Sequence, residues 1–254
     1  MIKFENVTYK INDTLILDNI SFEIKRGDFV AILGQNGAGK STLLQLILGI
    51  IKPTSGSILI NDQKAGENNR NIGYSPQAKP FDFDIPITGE EYVKLGLTGN
   101  KTGILFHNKK INEKVKKTLD EFDAANLGVK KLGHLSGGEV QRLSLALAMI
   151  FEPDIVLLDE PLANLDLSYQ GDIVRRIYTY HREHDHTILL VAHDVNPLLP
   201  YISSVLYIAR GQIRFGNPLD IIKDDVLTEL YQTPVKVFQV EGRIFVAESA
   251  GIIH

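Results

Sequence analysis

Apolar and polar positions alternate along IKFENVTYK (2–10) and LDNISFEIKRG (17–27), which predicts two half-buried antiparallel strands. FVAIL (29–33) has no polar position and predicts a buried central strand running into a glycine-rich turn. The spacing then becomes helical along STLLQLILG, ending at Gly49, and KPTSG followed by SILIND (57–62) predicts a turn and another strand. Between about 87 and 150 the chain changes character. EEYVKLGL, INEKVKKTLDEF and GGEVQRLSLALAMI all have helical periodicity, with no clear strand among them. DIVLLDE (154–160) and TILLVAHD (187–194) return as buried parallel strands on either side of a helix, LSYQGDIVRRIYTYHREH (167–184). Near the end, VKVFQV and RIFV alternate about the pair EG and predict a β-hairpin. The expected organisation is α/β and a single domain: a mainly parallel sheet core from 1–86 and 151–215, an inserted helical subdomain at 87–150, and C-terminal helices and a hairpin at 216–254.

Composition narrows the function classes. With 254 residues, 44% hydrophobic and 23% charged, the chain has the length and apolar content for a sizeable core. A formal charge of −4 argues against nucleic acid as the main partner. The absence of cysteine excludes disulfides and thiolate metal sites and fits a reducing compartment. No apolar run reaches the roughly 18 residues that a membrane-spanning helix needs, and MIKFENVTYK has no signal-peptide core, so a protein outside the bilayer is expected.

GQNGAGKS (34–41) matches the phosphate-binding loop GxxxxGK[ST], with a predicted strand before it and a predicted helix after it. Gly34, Gly37 and Gly39 let the backbone of Gln35, Asn36 and Ala38 curl so that N–H groups point at phosphate oxygens. The start of the helix at Ser41 and Thr42 adds partial positive charge, and Lys40 reaches the outer phosphates. Ser41 is a candidate magnesium ligand. The strand ending in Asp159 delivers a carboxylate that can bind the magnesium through water, and Glu160 beside it is placed to polarise an attacking water, which points to hydrolysis. A second anion-binding turn, LSGGEVQR (135–142), places Ser136, Gly137 and Gly138 at a helix start about 100 residues further on.

The loop GQNGAGKS, LSGGEVQR, VLLDEP, the LANLD after it and VAHD (191–194) occur in an order and spacing that resemble the ATPase subunit of ABC transporters over nearly the whole chain. The resemblance implies a P-loop (RecA-like) core with an N-terminal antiparallel β-subdomain and an inserted helical subdomain. It implies ATP and Mg2+ as cofactors and an ATP-driven homodimer in which the LSGGEVQR of one copy closes over the ATP held by the other. It assigns Tyr9 to stacking on adenine, Gln77 in IGYSPQ to the magnesium or the attacking water, His193 to the γ-phosphate and Asp166 to the dimer seam. Gln35 stands where the family commonly has proline, on the outside of the turn, with no loss of function expected.

Expected partners are integral-membrane permease subunits and, through them, a substrate-binding protein, with the chain peripheral on the cytoplasmic face of the membrane and no nucleic acid bound. HDVNPLLPYISSVLYIARGQIRFGNP (193–218) and LTELYQTPVKVF (227–238) resemble the zinc/manganese uptake branch. Siderophore or cobalamin import is the near alternative. A soluble ABC ATPase acting on DNA or ribosomes lacks support, since the chain has neither fused cassettes nor a long coiled-coil insertion, and LSGGEVQR and Glu160 disfavour a P-loop kinase. HREHDH (181–186) invites a metal reading through His181, His184 and His186, but its spacing equally fits a frayed, solvated helix end, and that reading is preferred.

Overall fold

The computed structural model describes residues 1–67, 71–77, 85–98, 109–163 and 165–248. Asn164 of the LANLD stretch and residues 249–254 of the C-terminal segment lie outside the described residues. In chain order the elements are β1 (Ile2–Ile11), β2 (Thr14–Ile24), β3 (Phe29–Leu33), α1 (Lys40–Ile47), β4 (Ser55–Ile60), β5 (Gln63–Lys64) and β6 (Ile72–Ser75). Then come α2 (Gly89–Thr98), α3 (Lys109–Glu121), α4 (Gly137–Met149), β7 (Ile155–Asp159), α5 (Leu167–His184) and β8 (Thr187–Val191). The chain ends with β9 (Ser204–Ala209), β10 (Gln212–Gly216), α6 (Pro218–Ile221), α7 (Asp224–Tyr231), β11 (Val235–Val240) and β12 (Arg243–Glu248).

These elements form two compact units, residues 1–69 with 191–254, and residues 70–190. In the first unit β1 pairs antiparallel with both β2 and β4, giving the sheet order β2-β1-β4-β5. The alternation seen in the sequence becomes an inner face of Ile2, Phe4 and Val7, with Phe4 stacked on Phe22 at 4.5 Å. β3 lies beside β9 in parallel, Leu33 opposite Tyr207, and β10 pairs antiparallel with β9. All five residues of β3 are buried, which is why its sequence carries no polar position. Its C-terminal edge therefore opens directly into the glycine-rich turn.

In the second unit the strand order is β8-β7-β6, with β6 and β7 parallel. The helices α2, α3 and α4 occupy the stretch that the periodicity assigns to helix, and α2 and α3 pack against α4. Buried Val140, Leu143, Leu145, Ala146 and Met149 give α4 its apolar side. α5 begins and ends where its sequence pattern does, and stops because Asp185 takes a left-handed conformation at φ 53°. Among the described residues no helix is long and apolar enough to cross a membrane.

Candidate functional site

Between β3 and α1 the backbone turns through Gly34, Gly37 and Gly39 at φ 146°, 78° and 106°. Such angles are open to glycine and costly for other residues, so the three glycines are what let eight residues close into a cradle. Gly34 is constrained further: a Cβ there would sit 2.3 Å from the carbonyl oxygen of Ile208 on β9. Lys40, the first residue of α1, folds back and donates from Nζ to the carbonyl oxygens of Gly34 (2.7 Å) and Gln35 (2.9 Å). The ammonium is thus held inside the turn, at the positive end of a helix, with Ser41 exposed beside it and Thr42 half-buried. Gln35, Asn36, Gly37 and Ala38 line a recess of 320 Å³ together with Arg210 and Tyr231.

Gly34 and Gln35 also face a cavity of 590 Å³ that contains His193, Asp194 and Asn196. His193 follows β8, and Ala192 before it donates its N–H to Ile32 of β3 at 3.1 Å. Tyr207, Tyr231 and the hairpin residues Ile244, Phe245 and Val246 also line this cavity. The structure therefore brings His193 and the first two residues of the glycine-rich turn to one cavity. Tyr9 lies half-buried on β1, opposite Leu17 of β2.

In the second unit β7 carries Asp159 at its C-terminal end, where the Tyr74 phenol hydrogen-bonds to it. Burial, and then the Asp159 carboxylate, push that phenol's pKa up. Glu160 follows β7 with a left-handed φ of 51°, a conformation it shares with Glu152 and Glu241. Its Oε2 accepts a hydrogen bond from Gln77 Nε2 at 2.9 Å. Gln77 and Glu160, 83 residues apart, are thus neighbours. The following turn is fixed by Gln170 of α5, whose Nε2 donates to the carbonyls of Leu162 and Leu165.

The second anion-binding turn is a helix start of defined geometry. Ser136 is the N-cap of α4 and forms a reciprocal capping box with Glu139, whose pKa is lowered chiefly by the Ser136 backbone N–H. Gly137 and Gly138 follow in the first turn, and a Cβ at Gly137 would meet nothing within 4 Å. Ser136, Gly137, Gly138 and Asp166 line one recess of 520 Å³, together with Arg142 and Tyr169. Asp166 is the N-cap of α5 but makes no side-chain capping bond. Arg142, the last residue of LSGGEVQR, and Tyr169 of α5 were given no role from the sequence. Only the helical spacing that puts Arg142 one turn beyond Gly138 hinted at its place.

HREHDH is not a solvated helix end, which corrects the sequence expectation. His181 and His186 are 7% and 3% exposed, because the left-handed turn at Asp185 brings the chain back under α5. His181 donates from Nδ1 to the His186 carbonyl at 2.7 Å, and His186 stacks on Tyr180 at 5.0 Å. Tyr180 in turn donates to the Met149 carbonyl at 2.6 Å. Among the described residues no group of three or more His, Cys, Asp or Glu could hold a metal ion. The cluster is core packing that joins α5, β8 and the end of α4.

Comparison with known proteins adds what geometry alone does not. The family model described as ABC transporter matches residues 17–163. The zinc import ATP-binding protein ZnuC of Rickettsia bellii is 33% identical over 218 residues, 86% of this chain and 87% of that protein. The zinc uptake system ATP-binding protein ZurA of Listeria monocytogenes is 32% identical over 220 residues, 85% of this chain and 86% of that protein. Among solved structures, the dimeric ATP-binding cassette MJ0796, in a post-hydrolysis state bound to ADP and Pi, superposes with a TM-score of 0.74 at 29% identity. That match covers 85% of this chain and 98% of the cassette.

Proposed function

This chain belongs to the ABC transporter family and is an ABC ATPase, and on that premise we propose that it powers the import of a divalent metal ion, zinc first, through a separate membrane permease. The glycine-rich turn with Lys40 drawn into it is the observation that carries the nucleotide part of this reading. Support for the metal comes from relatives named for zinc import and zinc uptake, each aligned with at least 85% of the chain.

Each residue takes its role from its motif position. The N–H groups of Gly34 to Gly39 and the Lys40 ammonium bind the β- and γ-phosphates, and Tyr9 offers a π face to the adenine. The Ser41 hydroxyl and Asp159 carboxylate are hard oxygen donors of the kind magnesium prefers, which makes them its candidate ligands along with Gln77. Magnesium, when bound, neutralises charge on the phosphate oxygens. Glu160 polarises the attacking water, and the Gln77 amide fixes the direction of its carboxylate. His193 contacts the γ-phosphate. Ser136, Gly137 and Gly138 supply a helix N-terminus to the nucleotide of a second copy, with Asp166 on the same recess at the seam between copies. The DNA- and ribosome-directed alternative has no such support.

The test is reconstitution of the chain with its permease and substrate-binding protein in sealed vesicles, with zinc, manganese, a ferric siderophore and cobalamin offered in turn. ATP-dependent accumulation of zinc or manganese, abolished by Glu160→Gln, is the expected result. Accumulation of the siderophore or cobalamin and of neither ion would overturn the metal reading.

A further inference from the structure

The cavity shared by His193 and the glycine-rich turn is closed on one side by the C-terminal hairpin, and the hairpin is tied to the histidine's own loop. Ile244 of β12 donates its N–H to Asn196 Oδ1 at 2.7 Å, and Asn196 Nδ2 donates to the Ile244 carbonyl at 2.9 Å. This reciprocal pair lets one side chain act as an extra strand residue beside β12. Asn196 also donates its backbone N–H (2.9 Å) and its Nδ2 (2.7 Å) to Asp194 Oδ1, fixing the residue immediately after His193. On the other side of His193, the Ala192 N–H is fixed to Ile32.

The far end of the hairpin is also anchored. Thr228 of α7 accepts from the Val235 N–H at 3.0 Å, and Asp224 at the start of α7 accepts from the Val237 N–H at 2.7 Å and from Lys236 at 2.8 Å. A two-stranded hairpin has little stability of its own. Here it is fixed to α7 at one end and to the histidine loop through Asn196.

We propose that Asn196 is a positioning residue for ATP hydrolysis, and that the C-terminal hairpin is a brace which, acting through Asn196 and Asp194, sets the direction of the His193 imidazole. The proposal rests on the assignment of His193 to the γ-phosphate. Replacing Asn196 removes the pairing to Ile244 and the Nδ2 bond to Asp194 while leaving the glycine-rich turn, Lys40 and Asp159 untouched. Small misplacements of a group remote from the chemistry can cost on the order of 100-fold in rate.

The experiment measures steady-state ATP turnover and equilibrium binding of an ATP analogue for the full chain and for Asn196→Ala, His193→Ala and the double variant. Asn196→Ala is expected to lower kcat about 10- to 100-fold while KM and analogue affinity stay within about twofold, because the lost interaction acts only in the transition state. In the His193→Ala background Asn196→Ala should have no further effect on kcat, since a brace has nothing left to position. Asn196→Asp keeps the acceptor for Ile244 but loses the amide donor, and serves the same test if the alanine protein does not fold. A normal kcat, a rise in KM alone, or a full further loss of kcat on top of His193→Ala would overturn the brace. Normal turnover by His193→Ala itself would overturn the histidine assignment, whereas a slow His193→Ala beside a normal Asn196→Ala would overturn the brace alone.

Discussion

Replacing Gly34 with alanine perturbs the cradle at its tightest point. The new Cβ would lie 2.3 Å from the Ile208 carbonyl oxygen and 3.2 Å from its carbon, at a backbone φ of 146°. Ordinary contact begins near 3.4 Å, so β9 would have to retreat by about 1 Å. β9 is held in parallel register against β3 from Val30 to Leu33, so the retreat loosens the strand that leads into the turn. Overpacking of this kind costs about 1–3 kcal/mol, and a side chain forced into such a backbone conformation about 1–3 kcal/mol more. At roughly 2–4 °C per kcal/mol for a chain of this length, the sum of about 2–6 kcal/mol lowers the Tm by about 4–24 °C.

Gly37→Ala is the matched control, because φ is positive there too, at 78°, but a Cβ meets nothing within 4 Å. Only the backbone term remains, about 1–2 kcal/mol. Calorimetry without nucleotide should therefore show a Tm loss for Gly34→Ala at least twice that for Gly37→Ala. Equal losses, or a larger one at Gly37, would refute the packing argument.

Lys40→Ala should weaken ATP-analogue binding and turnover together, because its charge is used in ground and transition states alike, and an isothermal titration beside a phosphate-release assay checks this. Tyr180→Phe removes the 2.6 Å hydrogen bond to the Met149 carbonyl, which keeps the Glu152 N–H at 2.9 Å, and should cost about 0.5–1.5 kcal/mol in urea unfolding. The third concerns pH: burial holds His186 below its ordinary value of 6.5, against a smaller opposing effect of the Pro153 backbone. The fold thus favours neutral His186, so its contribution is complete above pH 6.5 and declines as the pH falls from there through the lowered folded value. The same trend on the same limb is expected to flatten in His186→Phe, measured by thermal unfolding across pH 4–8 (about that window, set by the ordinary histidine value).

Legibility in the sequence followed how local the physics is. β3 and α5 could be placed because an unbroken apolar run and a 3.6-residue period are local signals, and the sharp bends at Gly34, Gly37 and Gly39 because only glycine suits them. The Gln77–Glu160 hydrogen bond spans 83 positions, and only the family resemblance, which assigns IGYSPQ a role at the magnesium or attacking water, pointed to it; periodicity did not. The same holds for Asn196, an asparagine in a loop whose partner Ile244 lies 48 positions away. The histidine cluster misled for a related reason: polar residues at a helix end predict solvent, and only the turn at Asp185 buries two of them.

The central claim is that each chain carries two incomplete nucleotide sites which complete one another in a dimer. Size-exclusion chromatography with light scattering, on the Glu160→Gln protein with and without ATP and magnesium, tests it most directly. Without nucleotide the chain should elute as a monomer and with ATP as a dimer. Gly137→Asp in the same background should remain monomeric while still binding ATP, since a Cβ there meets nothing within 4 Å and, on the proposed assignment, the carboxylate would oppose the γ-phosphate of the partner's nucleotide. An ATP-dependent dimer that survives Gly137→Asp would contradict the account, and would reduce the turn at Ser136 to a helix cap.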